Sequence, residues 1–250
     1  MSFAQFFSDE ALIKAEAKSL IWSEPLPDGG RSVVKMYRRR GLLDPLRRLA
    51  VPYRAEREFG LLARLRASGI PCPEPISWTH GYERRHGRYE ILVTREIPST
   101  VPLTSLLKRA RSAVPDLAPL FQLARRMHDC GVAHGAFYPA NILVTVPTGS
   151  SPQYHMIDLA HGCHFRHGVA GTRPAIHDVL DMLRAIERLM PLHECPRWLA
   201  GYGDGPDGTW RFLKMLDGHR LERPWRHIRR AETDMREAMD RIGRATAGAR

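Results

Sequence analysis

Acidic residues are in short supply in this chain: 27 Asp and Glu stand against 38 Lys and Arg, for a formal net charge of +11. Such an imbalance asks for an anionic partner, whether nucleic acid, a phosphorylated small molecule or an anionic membrane surface. Cysteine is also scarce, with four residues at positions 72, 130, 163 and 195. None is in CxxC spacing and no Cys/His group has zinc spacing, so the cysteines read as small hydrophobes or free thiols in a reducing compartment. No apolar run approaches the ~18 residues of a membrane-spanning helix. The opening MSFAQFFSDEALIKAEAKS lacks a basic segment followed by an apolar one, so no secretion signal is expected and the expected location is cytoplasmic. There is no internal repeat and no low-complexity tract.

What is present suits a globular chain. A hydrophobic fraction of 43% over 250 residues is enough for one large domain or two small lobes sharing a cleft. The first part reads as mostly β. KSLIWSEPL and RSVVKMYRR are strand-like runs separated by the turn signal PDGG, which predicts a hairpin. YRAEREFGLLARLRASG follows with helical spacing through Tyr53, Glu56, Phe59, Leu62 and Leu65, and Gly69 reads as its stop. IPCPEPISW is Pro-punctuated and extended, and RYEILVTREI is a strong strand. Past residue 98 the pattern turns helical. DLAPLFQLARRMHDCG carries Leu120, Leu123, Ala124 and Met127 on one face and ends at Gly131. The boundaries predicted are a β-rich lobe with one central helix over 1–97 and a helical lobe over 98–250.

Chemistry concentrates between His134 and Asp158. The run H-G-A-F-Y-P-A-N-I-L-V, a turn, then M-I-D-L predicts a loop feeding two adjacent strands of a hairpin. Phosphoryl transfer needs hard oxygen ligands for Mg²⁺ bridging nucleotide phosphates, and Asn141 and Asp158 supply that donor type at the two strand ends. The step from His134 to Asn141 matches the protein-kinase catalytic loop H-x-D-x-x-x-x-N, with Asp158 at the place of D-F-G. Upstream, VVKMY puts Lys35 in a strand, as in the kinase V-A-I-K lysine, and the next helix offers Glu58 or Glu56 as its partner, Glu58 being preferred. A lone lysine in a strand is ordinarily a solvated residue. Lys, Glu, a hydrophobic strand, H-x₆-N and Asp in kinase order are a more specific signal.

The pieces K-M-Y-R-R-R-G-L-L, R-E-F-G-L-L-A-R-L-R-A-S-G-I-P-C-P-E-P, L-V-T-R-E-I, M-H-D-C-G-V-A-H-G-x-x-Y-P-A-N-I-L-V and M-I-D-L together resemble the lipopolysaccharide Kdo/heptose kinase family over roughly residues 30–190. The resemblance implies an α+β, bilobal protein-kinase-like fold with a small β-rich N-lobe and a helical C-lobe. It implies ATP and Mg²⁺ (or Mn²⁺) as cofactors, with Lys35, Glu58, Asn141 and Asp158 at the nucleotide, Asn141 and Asp158 on the metal, and His134 and Asp158 as catalytic residues. It also implies an anionic sugar of the lipopolysaccharide core as acceptor, at the cytoplasmic face of the inner membrane. The cluster Lys35, Arg38, Arg39, Arg40, Arg47, Arg48 and Arg54 and the run Arg223–Arg230 suit such an acceptor or an anionic membrane surface.

One position departs from the kinase pattern. Ala136 stands where kinases carry the aspartate that orients the acceptor hydroxyl and takes its proton. Asp28-Gly29-Gly30 is likewise not G-x-G-x-x-G. The leading expectation is an ATP-dependent phosphotransferase. The alternative is a pseudokinase with a regulatory or scaffolding role. A basic nucleic-acid-binding module is disfavoured, because the Lys/Arg runs hold few interleaved aromatics.

Overall fold

A computed structural model describes residues 12–15, 19–39, 53–83, 87–109, 116–146, 151–189 and 195–203. The chain divides into two compact units, Met1–Ser99 with Ile157–Ala160, and Thr100–Met156 with His161–Arg250.

The first unit is built on an antiparallel sheet of β1 (Leu12–Ala15), β2 (Ser19–Pro25), β3 (Arg31–Arg39), β4 (Pro75–Glu83) and β5 (Gly87–Arg95), in the order β1-β2-β3-β5-β4. PDGG closes the β2–β3 hairpin as its composition predicts: Gly29 takes φ +81°, the left-handed region a Cβ disfavours. Arg95 ties this turn down, bridging Asp28 at 2.7 Å and Glu74 at 2.9 Å. One face of the sheet gathers Leu20, Trp22, Val34 and Met36 with Tyr89, Ile91 and Val93. Helix α1 (Arg54–Ala67) packs against β4 and β5.

The buried stripe of α1 runs through Ala55, Glu58, Leu61, Leu62 and Leu65. It is rotated from the stripe the sequence spacing suggests, since Glu56 and Phe59 are only partly buried. A carboxylate at 58 blurs the apolar periodicity, and only its burial partners explain its place there. The helix ends at Gly69, φ +67°, with Ile70 N–H returning to the Leu65 carbonyl at 2.9 Å. Its start has no local side-chain cap. Instead buried Glu90 of β5 accepts from the Ala55 N–H at 2.9 Å, placing a carboxylate at the positive end of the helix.

The second unit holds a sheet of β6 (Thr100–Pro102), β8 (Ile142–Thr145) and β9 (Gln153–Met156) in the order β6-β8-β9, and a small ladder of β7 (Val132–Ala133) with β10 (Cys163–His164). Among the described residues it also carries helices α2 (Leu103–Arg109), α3 (Ala118–Asp129), α4 (Arg173–Glu187) and α5 (Cys195–Ala200). The expected face of α3 is the buried one: Leu120, Ala124 and Met127 are fully buried and Leu123 nearly so. Phe121, Phe137, Met182, Trp198 and Tyr202 fill the rest of this core. Arg223–Arg230, and Arg40, Arg47 and Arg48 of the other basic cluster, lie outside the described residues.

Candidate active site

Lys35 sits in the middle of β3, between Val34 and Met36, whose side chains enter the opposite face. That alternation points Lys35 at α1. Its Nζ lies 3.4 Å from Glu58 and 2.5 Å from Asp158. The strand–helix ion pair expected from the sequence is therefore made, and Glu58 rather than Glu56 is the partner. Glu58 is 2% exposed, and burial pushes its carboxyl above the usual range, with the Lys35 charge opposing. Its second oxygen accepts from the Tyr37 hydroxyl, a partner sequence reasoning missed. The signal was there in the i, i+2 spacing of Lys35 and Tyr37 on one strand.

Asp158 belongs to the first unit because its short segment is pinned there. Lys35 holds its carboxylate, and the Arg57 guanidinium donates to the Ala160 carbonyl two residues on. Asp158 adopts φ +60°, a conformation few non-glycine residues hold without outside support. Its side chain remains 40% exposed. Of the basic cluster inferred around Lys35, Lys35 itself is committed to two carboxylates, and Arg54 lies over the Tyr37 ring at 5.1 Å.

In the second unit the loop from His134 to Asn141 hangs on one carboxylate. Asp178 of α4 accepts from the His134 N–H at 2.6 Å and the Gly135 N–H at 2.8 Å. Its Oδ2 also lies 3.1 Å from His128 Nε2, and His128 Nδ1 meets the Tyr202 hydroxyl at 2.7 Å. Asp178 and His128 are both essentially buried. The sequence reading named neither, because α4, α3 and the loop are far apart along the chain. Gly135, φ +73°, runs so close to the His161 backbone that a Cβ there would collide with the His161 carbonyl oxygen. The His134 side chain is fully buried, its ring 5.7 Å from that of Phe137. Asn141 ends a 3-10 turn (Pro139–Asn141), and its side-chain N–H donates to the Ala136 carbonyl at 2.9 Å. Ala136 itself is partly exposed. Tyr138 is pushed up to about 12, first by burial and then by Asp181, to which its hydroxyl is hydrogen-bonded. It stays protonated at neutral pH and is no base.

A profile of the lipopolysaccharide kinase (Kdo/WaaP) family matches residues 10–201. The chain belongs to that family. Among solved structures, WaaP in complex with acyl carrier protein is similar, with 19% identity and a TM-score of 0.58, covering 95% of this chain and 88% of that one. The Rio2 kinase from Chaetomium thermophilum is 21% identical with a TM-score of 0.50, covering 96% of this chain and 74% of that one. The fold is the α+β protein-kinase-like fold. No curated protein matches the sequence. Among the described residues no helix is long and apolar enough to cross a membrane.

Proposed function

We propose that this member of the Kdo/WaaP family is an ATP-dependent phosphotransferase acting on a sugar hydroxyl of the lipopolysaccharide inner core. The observation that carries the reading is the Lys35 ammonium held between buried Glu58 and half-exposed Asp158. Phosphoryl transfer through a loose transition state depends on positioned positive charge more than on covalent chemistry. Lys35, steadied by Glu58, is the charge this chain brings to the α- and β-phosphates.

The donor set fits Mg²⁺ or Mn²⁺. Asp158 offers a partly exposed carboxylate, and Asn141 offers an amide oxygen whose nitrogen is already engaged. Each is the hard oxygen donor such a metal takes, and the metal when bound would supply charge neutralisation on the phosphate oxygens. His134 and Gly135, fixed through Asp178, hold the loop that presents Ala136 and Asn141. The acceptor is an anionic core sugar, in keeping with the +11 net charge, and the site of action is the cytoplasmic face of the inner membrane.

A second reading is favoured by one observation. Ala136 provides no carboxylate to orient the acceptor hydroxyl, and Tyr138, held protonated, does not replace it. Removing a general base costs about 10²–10⁴-fold in rate, which would leave a nucleotide-binding pseudokinase. Purified protein with ATP, with and without Mg²⁺ or Mn²⁺, separates the readings. Metal-dependent binding with turnover that Asp158→Asn abolishes supports the enzyme. Binding without turnover on core-sugar acceptors supports the pseudokinase, and no binding under any condition refutes the nucleotide site.

A further inference from the structure

Lys35 and Tyr37 stand two residues apart on β3 and share the face that looks toward α1. There the two oxygens of Glu58 have separate donors. Lys35 Nζ is 3.4 Å from Oε1, and the Tyr37 hydroxyl donates to Oε2. The lysine leans the other way, toward Asp158 at 2.5 Å. A carboxylate taken out of water must be hydrogen-bonded or it becomes costly to keep charged. Tyr37 is thus a second, separate hold on Glu58. Its ring adds a second contact, with Lys35 Nζ 5.0 Å and the Arg54 guanidinium carbon 5.1 Å from its centroid, both within cation–π range. Tyr37 is itself buried, at 5% exposure, so it meets this carboxylate rather than solvent.

We infer that Tyr37 is the positioning residue of the phosphate-binding lysine. Its hydroxyl fixes Glu58, its ring steadies the ammonium, and the two keep Lys35 in place when it exchanges Asp158 for nucleotide phosphate. The strand–helix pair becomes a triad in which Tyr37 acts through Glu58 and Lys35 without touching the nucleotide. This rests on the nucleotide reading above.

The test is the Kd for Mg·ATP of wild type, Tyr37→Phe, Tyr37→Leu, Glu58→Gln and the Tyr37→Phe/Glu58→Gln double variant, with unfolding midpoints measured alongside. Tyr37→Phe keeps the ring and the volume. It should weaken binding about tenfold, the scale of one hydrogen bond to a charged group. Tyr37→Leu, which also removes the ring, should weaken it further. In the Glu58→Gln background the Phe change should matter no more than about twofold, because coupling appears as non-additivity. Unchanged binding by Tyr37→Phe overturns the inference, as does an equal loss in the Glu58→Gln background.

Acylation of Lys35 in the nucleotide-free protein, followed by peptide mass spectrometry, reads the same coupling without ATP. A rate changed at least about threefold by Tyr37→Phe upholds the inference, on the same non-additivity logic of coupled groups; equal rates overturn it. If the wild type binds no Mg·ATP, the nucleotide reading falls and this second measurement alone decides the role of Tyr37. Should Tyr37→Phe fail to fold, Glu58→Gln is read in its place by the same acylation rates and the same criterion.

Discussion

Ala136 puts a methyl group where phosphoryl transfer to a hydroxyl ordinarily has a carboxylate, and its surroundings say what restoring one should do. The position is partly exposed, and its carbonyl is already anchored by the Asn141 side chain, so an added carboxylate keeps some access to water. Ala136→Asp is expected to raise transfer to a core-sugar acceptor by at least about tenfold if the base is all that is missing. Phosphate release or product mass on the acceptor measures it. A variant no faster than wild type would mean that acceptor orientation is supplied elsewhere. The same residue scale explains why Lys35 was legible and Tyr37 was not. A lysine amid β-branched residues of a strand is anomalous on its face, whereas a tyrosine there is ordinary strand composition.

At the scale of elements, the loop between β7 and β8 owes its shape to α4. Asp178 satisfies two loop N–H groups and a histidine from α3 with one buried carboxylate. Asp178→Asn keeps a single acceptor oxygen and leaves a buried donor unpaired. It should cost about 2–4 kcal/mol in urea unfolding and reduce any nucleotide-dependent activity through the loop. Gly135 is the complementary case. A Cβ there would collide with the His161 backbone oxygen, at φ +73°. Gly135→Ala should destabilise by at least about 2 kcal/mol, and a thermal unfolding midpoint within error of wild type would contradict this packing. Helix α1 shows the same dependence on distant chain. Its end was readable from Gly69, a local signal, whereas its start rests on Glu90 from a strand some 35 residues on.

For the molecule as a whole, the excess of positive charge is the property most open to test. A +11 chain should associate with anionic lipid or anionic saccharide in a salt-sensitive way, since exposed charges are screened beyond ~10 Å at about 0.1 M salt. Co-sedimentation should be greater with anionic than with neutral liposomes and fall as salt rises. Equal binding to both, or none to either, would leave the basic residues as an ordinary solvated surface. Lys35 is not expected to contribute, because two carboxylates already neutralise it.

The β2–β3 hairpin, the apolar face of α3 and the end of α1 at Gly69 were all determined by sequence, because each is a local pattern. Turn glycines, strand alternation and helical spacing act over a few residues and need no knowledge of the rest of the chain. Tertiary structure alone decided that Glu58 faces inward on a stripe otherwise made of Ala55, Leu61, Leu62 and Leu65. It also decided that Ile157–Ala160 packs with the first unit, that Asp178 carries the loop, and that Tyr37 completes the ion pair. Each of these joins residues distant in sequence through a buried polar contact. The worth of such a contact depends on which donors the fold brings to a desolvated carboxylate, and no short-range pattern encodes that.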